Sequence, residues 1–518
     1  MSNFMDMIKN VLDNERNVSV TENGALGFST SGKELLDINF AVSSLRSCPE
    51  IEVVKRFARV FHEDKTLAVK WLFFAGDVRG GMGERRLFRL GMAYLAYSEP
   101  ELAKKLIPLI PEYTRWDNVV TLLSTPVEKD AISLIREQLN ADLKAMRANK
   151  PVSLLAKWLP SLNATSKETV EYAKYLCRAL GMTNKQYRTA LSSLRKYLKV
   201  VEVQMSADEW SEINYSAVPS RANLIYGKAF FKHDEDRRIA YLESVSRGEQ
   251  KINSGVLFPH DIVHSYSYGD YSLTVKELDQ TLEELWRALP DYVDGDDSTM
   301  CVVDGSSSMT VRVGNTRVKA MEVAFALGIY FAERCNDRYK DKFITFSERP
   351  RYIDLSKQKT LHDKLAKAFA YSEVANTNIE AVFDLILNTA VKNKLNQADL
   401  PRNVLILSDM EFDNCAVVGK TKGKVYLTAN NADGVRLFEE LGARYEEKGY
   451  KLPRLVFWNI NSRTLTVPVR ENELGVALVS GFSPTIASMV LSGDLDPYKC
   501  LLAQLSTPRY DKVEIAIK

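Results

Sequence analysis

The chain is poor in the residues that build thiolate and imidazole metal sites. Its six cysteines, Cys48, Cys177, Cys301, Cys335, Cys415 and Cys500, are scattered over 518 residues without a C-x-x-C pair. That argues against a cysteine-built zinc site or a disulfide framework, and suits a reducing compartment. Five histidines, none in H-E-x-x-H, give no zinc-protease helix. Excess charge of one sign is missing too: 69 Lys and Arg stand against 67 Asp and Glu, a net +2, so any polyanion partner needs a local patch. No run approaches the roughly 20 apolar residues of a membrane span, and the opening MSNFMDMIKNVLDNERN has no signal-peptide core. These absences predict a soluble, cytoplasmic protein with no membrane partner. A hydrophobic content of 45% over this length is enough for more than one core.

Two halves have different hydrophobic rhythms. To about residue 295, apolar residues recur three and four apart, as in CPEIEVVKRFARVFHED and DKTLAVKWLFFAGDV, which predicts a multidomain chain opening with an all-α array of amphipathic helices. TSKETVEYAKYLCRALG starts with a capping box, Thr165 to Glu168, and stops at Gly181; SADEWSEI offers a second box, Ser206 to Glu209. From about residue 296 to 480, short β-branched runs (MCVVD, DKFITFS, NVLILSD, RLVFWNI, GVALVSG) alternate with helical stretches. This alternation predicts a doubly wound α/β domain. Residues 481–518 form an apolar tail expected to pack on the α/β domain or on the helical array.

CVVDGSSSM, residues 301–309, carries the chemistry. Mg2+, or Mn2+ or Ca2+ in its place, takes hard oxygen ligands. The spacing lets Asp304, Ser306 and Ser308 face one point, with Asp409 of VLILSDMEFD at a second strand end, where open α/β sheets bind ligands. Thr377 of NTNIE opens a helix; it is either a third donor or a cap, since Thr377 and Glu380 also make a T-x-x-E box. No histidine neighbours the serines and no G-x-S-x-G elbow exists, so hydrolysis is not expected and the protein reads as a non-enzyme.

D-x-S-x-S, then a threonine, then an aspartate after an apolar strand resembles the metal-ion-dependent adhesion site (MIDAS) of von Willebrand factor A domains. The resemblance implies that Asp304, Ser306, Ser308, Thr377 and Asp409 hold the cation, which leaves one position for a carboxylate from a partner protein.

Between Lys144 and Lys199, twelve lysines and arginines meet only Glu168 and Glu171, a local +10, with Tyr172, Tyr175, Tyr187 and Tyr197 interleaved. Cations neutralise phosphates and rings stack on unpaired bases, although solvated basic helix faces and core tyrosines produce the same pattern. GDVRGGMGERRLFR, residues 76–89, adds Arg79, Arg85 and Arg86 around glycines that suit an interhelix turn. The phrases DVRGGMGERRLFR, TRWDNVV, LLAKWLPSLN, YRTALSSLRKYLKVVEVQM, VPSRAN and FPHDIV resemble the Ro ribonucleoprotein layout. In that layout a TROVE module, a ring of HEAT-like helical repeats, precedes a von Willebrand A domain. The resemblance implies binding of small non-coding or misfolded RNA, with Lys157, Arg188, Arg195, Lys196 and Lys199 meeting phosphates. A metal-dependent protein adaptor with no RNA role is the alternative.

Overall fold

A computed structural model describes residues 19–20, 26–269, 273–293, 298–314, 316–336, 338–346, 350–370, 379–410, 434–463, 467, 476–483 and 496–518. The chain divides into two compact units, Val53–Val256 with Thr507–Lys518, and Leu257–Ser506 with the N-terminal segment up to Glu52. Among the described residues no helix is long and apolar enough to cross a membrane.

The first unit is helical. Helix α1 (Lys65–Gly76) is capped by Asp64, whose carboxylate accepts the Leu67 amide at 2.8 Å. Every residue from Ala68 to Gly76 is buried, as expected of a central helix that is apolar all round. The turn into α2 (Arg85–Ser98) accounts for the glycines. A Cβ on Gly81 would lie 1.9 Å from the Phe74 carbonyl oxygen, and Gly83 has φ +69°. Asp77, fully buried, accepts the amides of Arg79 (2.9 Å) and Gly80 (3.2 Å) and is clamped by the Arg509 guanidinium, with Nη2 2.7 Å from Oδ1. Tyr510 stacks on Tyr113 with centroids 5.8 Å apart, and buried Lys70 pairs with Glu514 at 2.9 Å. The last dozen residues therefore close the helical core, while the preceding helix Pro497–Leu505 belongs to the other unit.

Helix α3 (Lys167–Ala179) is capped by Ser166, one residue after the Thr165 expected, and ends at Gly181 with φ +71°. Helix α4 (Asn184–Tyr197) has a full capping box, Thr183 with Gln186. The box expected at Ser206 does not form. Ser206 closes the helix Val201–Ser206 and its hydroxyl donates to the Glu202 carbonyl, and Asp208 turns the chain at φ +57°. Helix α5 (Ser220–His233) follows.

The second unit is a mixed α/β sheet of six strands, β1 (Thr299–Asp304), β2 (Lys342–Phe346), β3 (Tyr352–Asp354), β4 (Asn403–Ser408), β5 (Arg454–Asn459) and β6 (Val476–Ser480). Their order is β6-β5-β4-β1-β2-β3, parallel except for β3, which runs antiparallel to β2 at the edge. All of β4 and β5 is buried, hence continuous apolar runs rather than alternation. Gly328 in the helix Ala320–Arg334 lets that helix sit on β1: a Cβ there would come 2.5 Å from Val303.

The compact unit takes in residues on both sides of the block 296–480. Helices Pro259–Tyr266 and Gln280–Arg287 join it, because buried Glu322 takes hydrogen bonds from His264 (2.9 Å) and Ser267. Glu283 accepts the first amides of the helix Leu361–Phe369, from Leu361 at 2.8 Å and His362 at 2.9 Å. Ser43 likewise binds Asn459 and Ser480 at the ends of β5 and β6. Burial would raise the Glu322 carboxyl pKa, but those bonds and the Lys319 amide hold it below the usual carboxylate range. Helical periodicity announces a helix without saying which core it joins.

Asp77→Ala leaves the Arg509 guanidinium without its buried partner and removes the acceptor that organises the glycine turn. A loss of about 1–3 kcal/mol is expected from the turn amides and the Tyr510 hydroxyl left without their acceptor, measured as a lowered urea midpoint of the helical unit's unfolding by far-ultraviolet circular dichroism.

Candidate metal centre

The strand order runs outward in both directions from β1 and β4, so the chain leaves these two neighbours on opposite sides. The crevice beyond their carboxyl ends is where open α/β sheets take ligands. In the parallel register Val303 lies opposite Leu407, which brings Asp304 beside Ser408 and places Asp409 one residue further.

Asp304 is the last residue of β1 and wholly buried. Its Oδ1 accepts the Ser306 amide at 2.9 Å, the Asx-type turn a strand-end aspartate favours. Its Oδ2 accepts the Ser408 hydroxyl at 2.6 Å. The hydroxyls of Ser306 and Ser308 are 2.8 Å apart, while Ser307 is exposed. Asp409 is 1% exposed, and Met410 after it adopts φ +62°, unusual for a side chain this large, with its amide donating to the Ser408 hydroxyl at 3.1 Å. The loop after β5 brings Arg463 Nη2 to 3.4 Å from Asp409 Oδ2. Thr377 lies outside the described residues.

The donors are two carboxylates and several hydroxyls. No group of three or more His, Cys, Asp or Glu able to hold a metal occurs among the described residues, so a cation here would depend on serine oxygens. Oxygen donors of this kind fit Mg2+, Mn2+ or Ca2+ and not a thiophilic metal. Two residues escaped sequence reading. Ser408, which links Asp304 to the next turn, was legible as the polar end of NVLILS; Arg463 had no signal, because its approach depends on the β5 loop.

The expected phosphate-binding residues are dispersed. Arg188, Lys196 and Lys199 are exposed. Lys157 is half-buried, its Nζ 5.7 Å from the Trp158 ring centre. Arg195 is engaged within the fold: its guanidinium donates to the Ala156 carbonyl (2.8 Å), the Leu159 carbonyl (2.8 Å) and the Ser161 hydroxyl (2.7 Å). Among the tyrosines, Tyr187 is core, its hydroxyl on the Pro160 carbonyl, and Tyr172 and Tyr197 are exposed. Arg79 is exposed on the glycine turn and Arg86 is half-buried. Arg85 is open to solvent at the start of α2.

Residues 298–499 match the family model described as "Domain of unknown function (DUF7788)" and residues 164–294 the one described as "Domain of unknown function (DUF2828)". A relative, "Uncharacterized protein L728" of Acanthamoeba polyphaga mimivirus, is 28% identical over 527 residues, covering 94% of this chain and 87% of its own length.

Ser408→Ala takes a donor from buried Asp304 and an acceptor from the Met410 amide. A loss of about 1–3 kcal/mol is expected, read as a lower thermal midpoint for the α/β unit, with Ser408→Thr retaining most of the wild-type value.

Proposed function

We propose that the protein is a non-catalytic, Ro-like RNA-binding protein whose α/β unit works as a von Willebrand A-type docking module. The observation that carries this reading is the placement of two buried aspartates, Asp304 and Asp409, at the ends of adjacent strands β1 and β4, with the Ser306 amide on Asp304 and the Ser306 and Ser308 hydroxyls in contact with each other. Burying two acids together costs free energy unless a cation compensates them. The antiparallel edge strand and the order β6-β5-β4-β1-β2-β3 support the same resemblance.

Asp304, Ser306, Ser308 and Asp409 would hold Mg2+, or Mn2+ or Ca2+, with Thr377 as the further donor the resemblance implies. The bound cation supplies positive charge for a carboxylate from a protein partner. This chain's own part is to fix the oxygens: the Ser306 amide and the Ser408 hydroxyl orient Asp304, and the Met410 turn orients Asp409. Arg463 faces Asp409 from the β5 loop, where its guanidinium competes with a metal for the same carboxylate.

The helical unit would take small non-coding or misfolded RNA by charge. Exposed Arg188, Lys196 and Lys199 support that reading, and Arg195 leaves it, because its donors hold the 156–161 segment.

Titration of Mn2+ followed by its electron paramagnetic resonance should give one saturable site, lost in Asp304→Ala and several-fold tighter in Arg463→Gln. No saturable site in the wild type would reject the docking module, and an unchanged Arg463→Gln affinity would reject the competition. Mobility shifts with a structured, 3′-tailed RNA should show complexes that weaken steeply with salt and at least tenfold in Lys196→Glu/Lys199→Glu. Absent or salt-insensitive binding favours the metal-dependent protein adaptor instead.

A further inference from the structure

We infer that the helical unit contains a phosphate-binding basin built by Arg85, Arg89, Arg115 and Arg221, with Trp158 as the platform that orients Arg115, and that it receives the backbone of a single-stranded RNA segment. This rests on the RNA-binding reading and places its strongest contact away from the exposed residues Arg188, Lys196 and Lys199.

Three distant stretches of chain supply the basin. Arg85 and Arg89 are four residues apart on α2, hence on one helix face. Arg115 lies before the helix Trp116–Val120, and Arg221 in the first turn of α5. Asp117 ties two of them together: Arg89 Nη2 is 2.9 Å and Arg115 Nε 3.0 Å from its carboxylate, and Arg89 Nε reaches Asn118 Oδ1 at 2.7 Å. The Arg115 guanidinium lies over Trp158, 3.9 Å from the ring centre, with Lys157 beside the same ring. Asp117 is the acid that offsets these cations at Arg85, where Arg115, Arg89 and Arg221 all act as like charges.

Two features make this arrangement unfavourable without a ligand. Like charges are gathered on one surface: Arg85 shares a helix face with Arg89 and is reached by solvent, yet desolvation and then the charge of Arg115 lower its pKa. The cations also sit at the wrong helix ends. Arg85 and Arg221 occupy the first turns of α2 and α5, which contain no acidic residue and no side-chain capping bond. Buried Glu84, the residue before α2, does not cap it either. A helix start carries partial positive charge and amides aimed outward, so it repels arginine and attracts an anion. Beside them the buried Asn118 Nδ2 is a further donor with no acceptor among the described residues. A phosphate answers the arginines and the two helix starts, and guanidinium forks bind it in two-point fashion. A strand of RNA is favoured over a phosphorylated protein because the neighbouring segment 144–199 extends the positive charge beyond one phosphate.

The test uses the full chain and fluorescence anisotropy with a 5′-labelled oligouridylate 12-mer. Arg85→Gln and Arg221→Gln should each weaken binding about tenfold and reduce the slope of log affinity against log salt by about 1 per lost phosphate contact, while Lys104→Gln, at a lysine of the same unit paired with Glu101, stays within threefold. Arg115→Lys, which keeps the charge but not the stacked fork, should also weaken it. In the absence of oligonucleotide, Arg85→Gln should raise the thermal midpoint, because it relieves repulsion; a lowered midpoint would contradict the basin's electrostatics. Wild-type affinity in Arg85→Gln and Arg221→Gln would overturn the basin while leaving RNA binding in place. If no oligonucleotide binds, thermal protection by pyrophosphate that is lost in Arg85→Gln would keep the phosphate site and reject RNA. Protection by a phosphoserine peptide as well would assign the site to a phosphoprotein. No protection by any of them rejects the basin and RNA binding together.

Discussion

The bond from Ser408 to Asp304 is the constraint on which the α/β unit turns. A parallel sheet that winds outward in both directions has one pair of neighbouring strands, here β1 and β4, whose following segments diverge. Polar residues end the neighbouring strands on that side of the sheet and, being buried, must satisfy one another. Asp304, Ser408, Asn459 and Ser480 end β1, β4, β5 and β6, and all four are buried. The N-terminal segment joins the row: Asn459 Nδ2 donates to the Phe40 carbonyl at 2.8 Å and Ser43 bonds to Ser480 at 3.0 Å. Asp304 differs from the rest of this row in being an acid, and Asp409, one residue beyond Ser408, adds a second that Arg463 approaches at 3.4 Å.

Much of this was legible because strands and helices leave different periods. VVD, LILS, VFWN and ALVS each read as an apolar run ending in a polar residue, and the D-x-S-x-S spacing put two hydroxyls beside one another, as found. What the sequence could not express was tertiary choice. Pro259–Tyr266 and Gln280–Arg287 look like continuations of the helical array, yet they belong to the sheet unit: buried Glu322 bonds His264 of the first, and Glu283 on the second accepts the amides that open the helix Leu361–Phe369. Arg463 reaches Asp409 only through the path of a loop, and no local pattern announces it. Counting charge along the chain had the same weakness: it included Arg195, whose donors are consumed by carbonyls, and passed over Arg115 and Arg221, whose importance comes from neighbours far away in sequence.

The helical unit contains two kinds of arginine site, and their contrast separates structure from binding. Arg509 meets a fully buried carboxylate, Asp77, that also accepts two turn amides and the Tyr510 hydroxyl. Its pKa is raised above the ordinary arginine value, chiefly by the hydrogen bond to Asp77, so the charge is matched by the fold itself. Arg85 shows the opposite sign: desolvation first, then three other arginines, lower its pKa, with Asp117 the opposing acid. A fold that needed only stability would replace such a group with a neutral one at little cost. Positive charge beside two helix starts without side-chain caps, in a unit that elsewhere matches Arg509 to a buried carboxylate, is the electrostatic form expected of a surface completed by an anion.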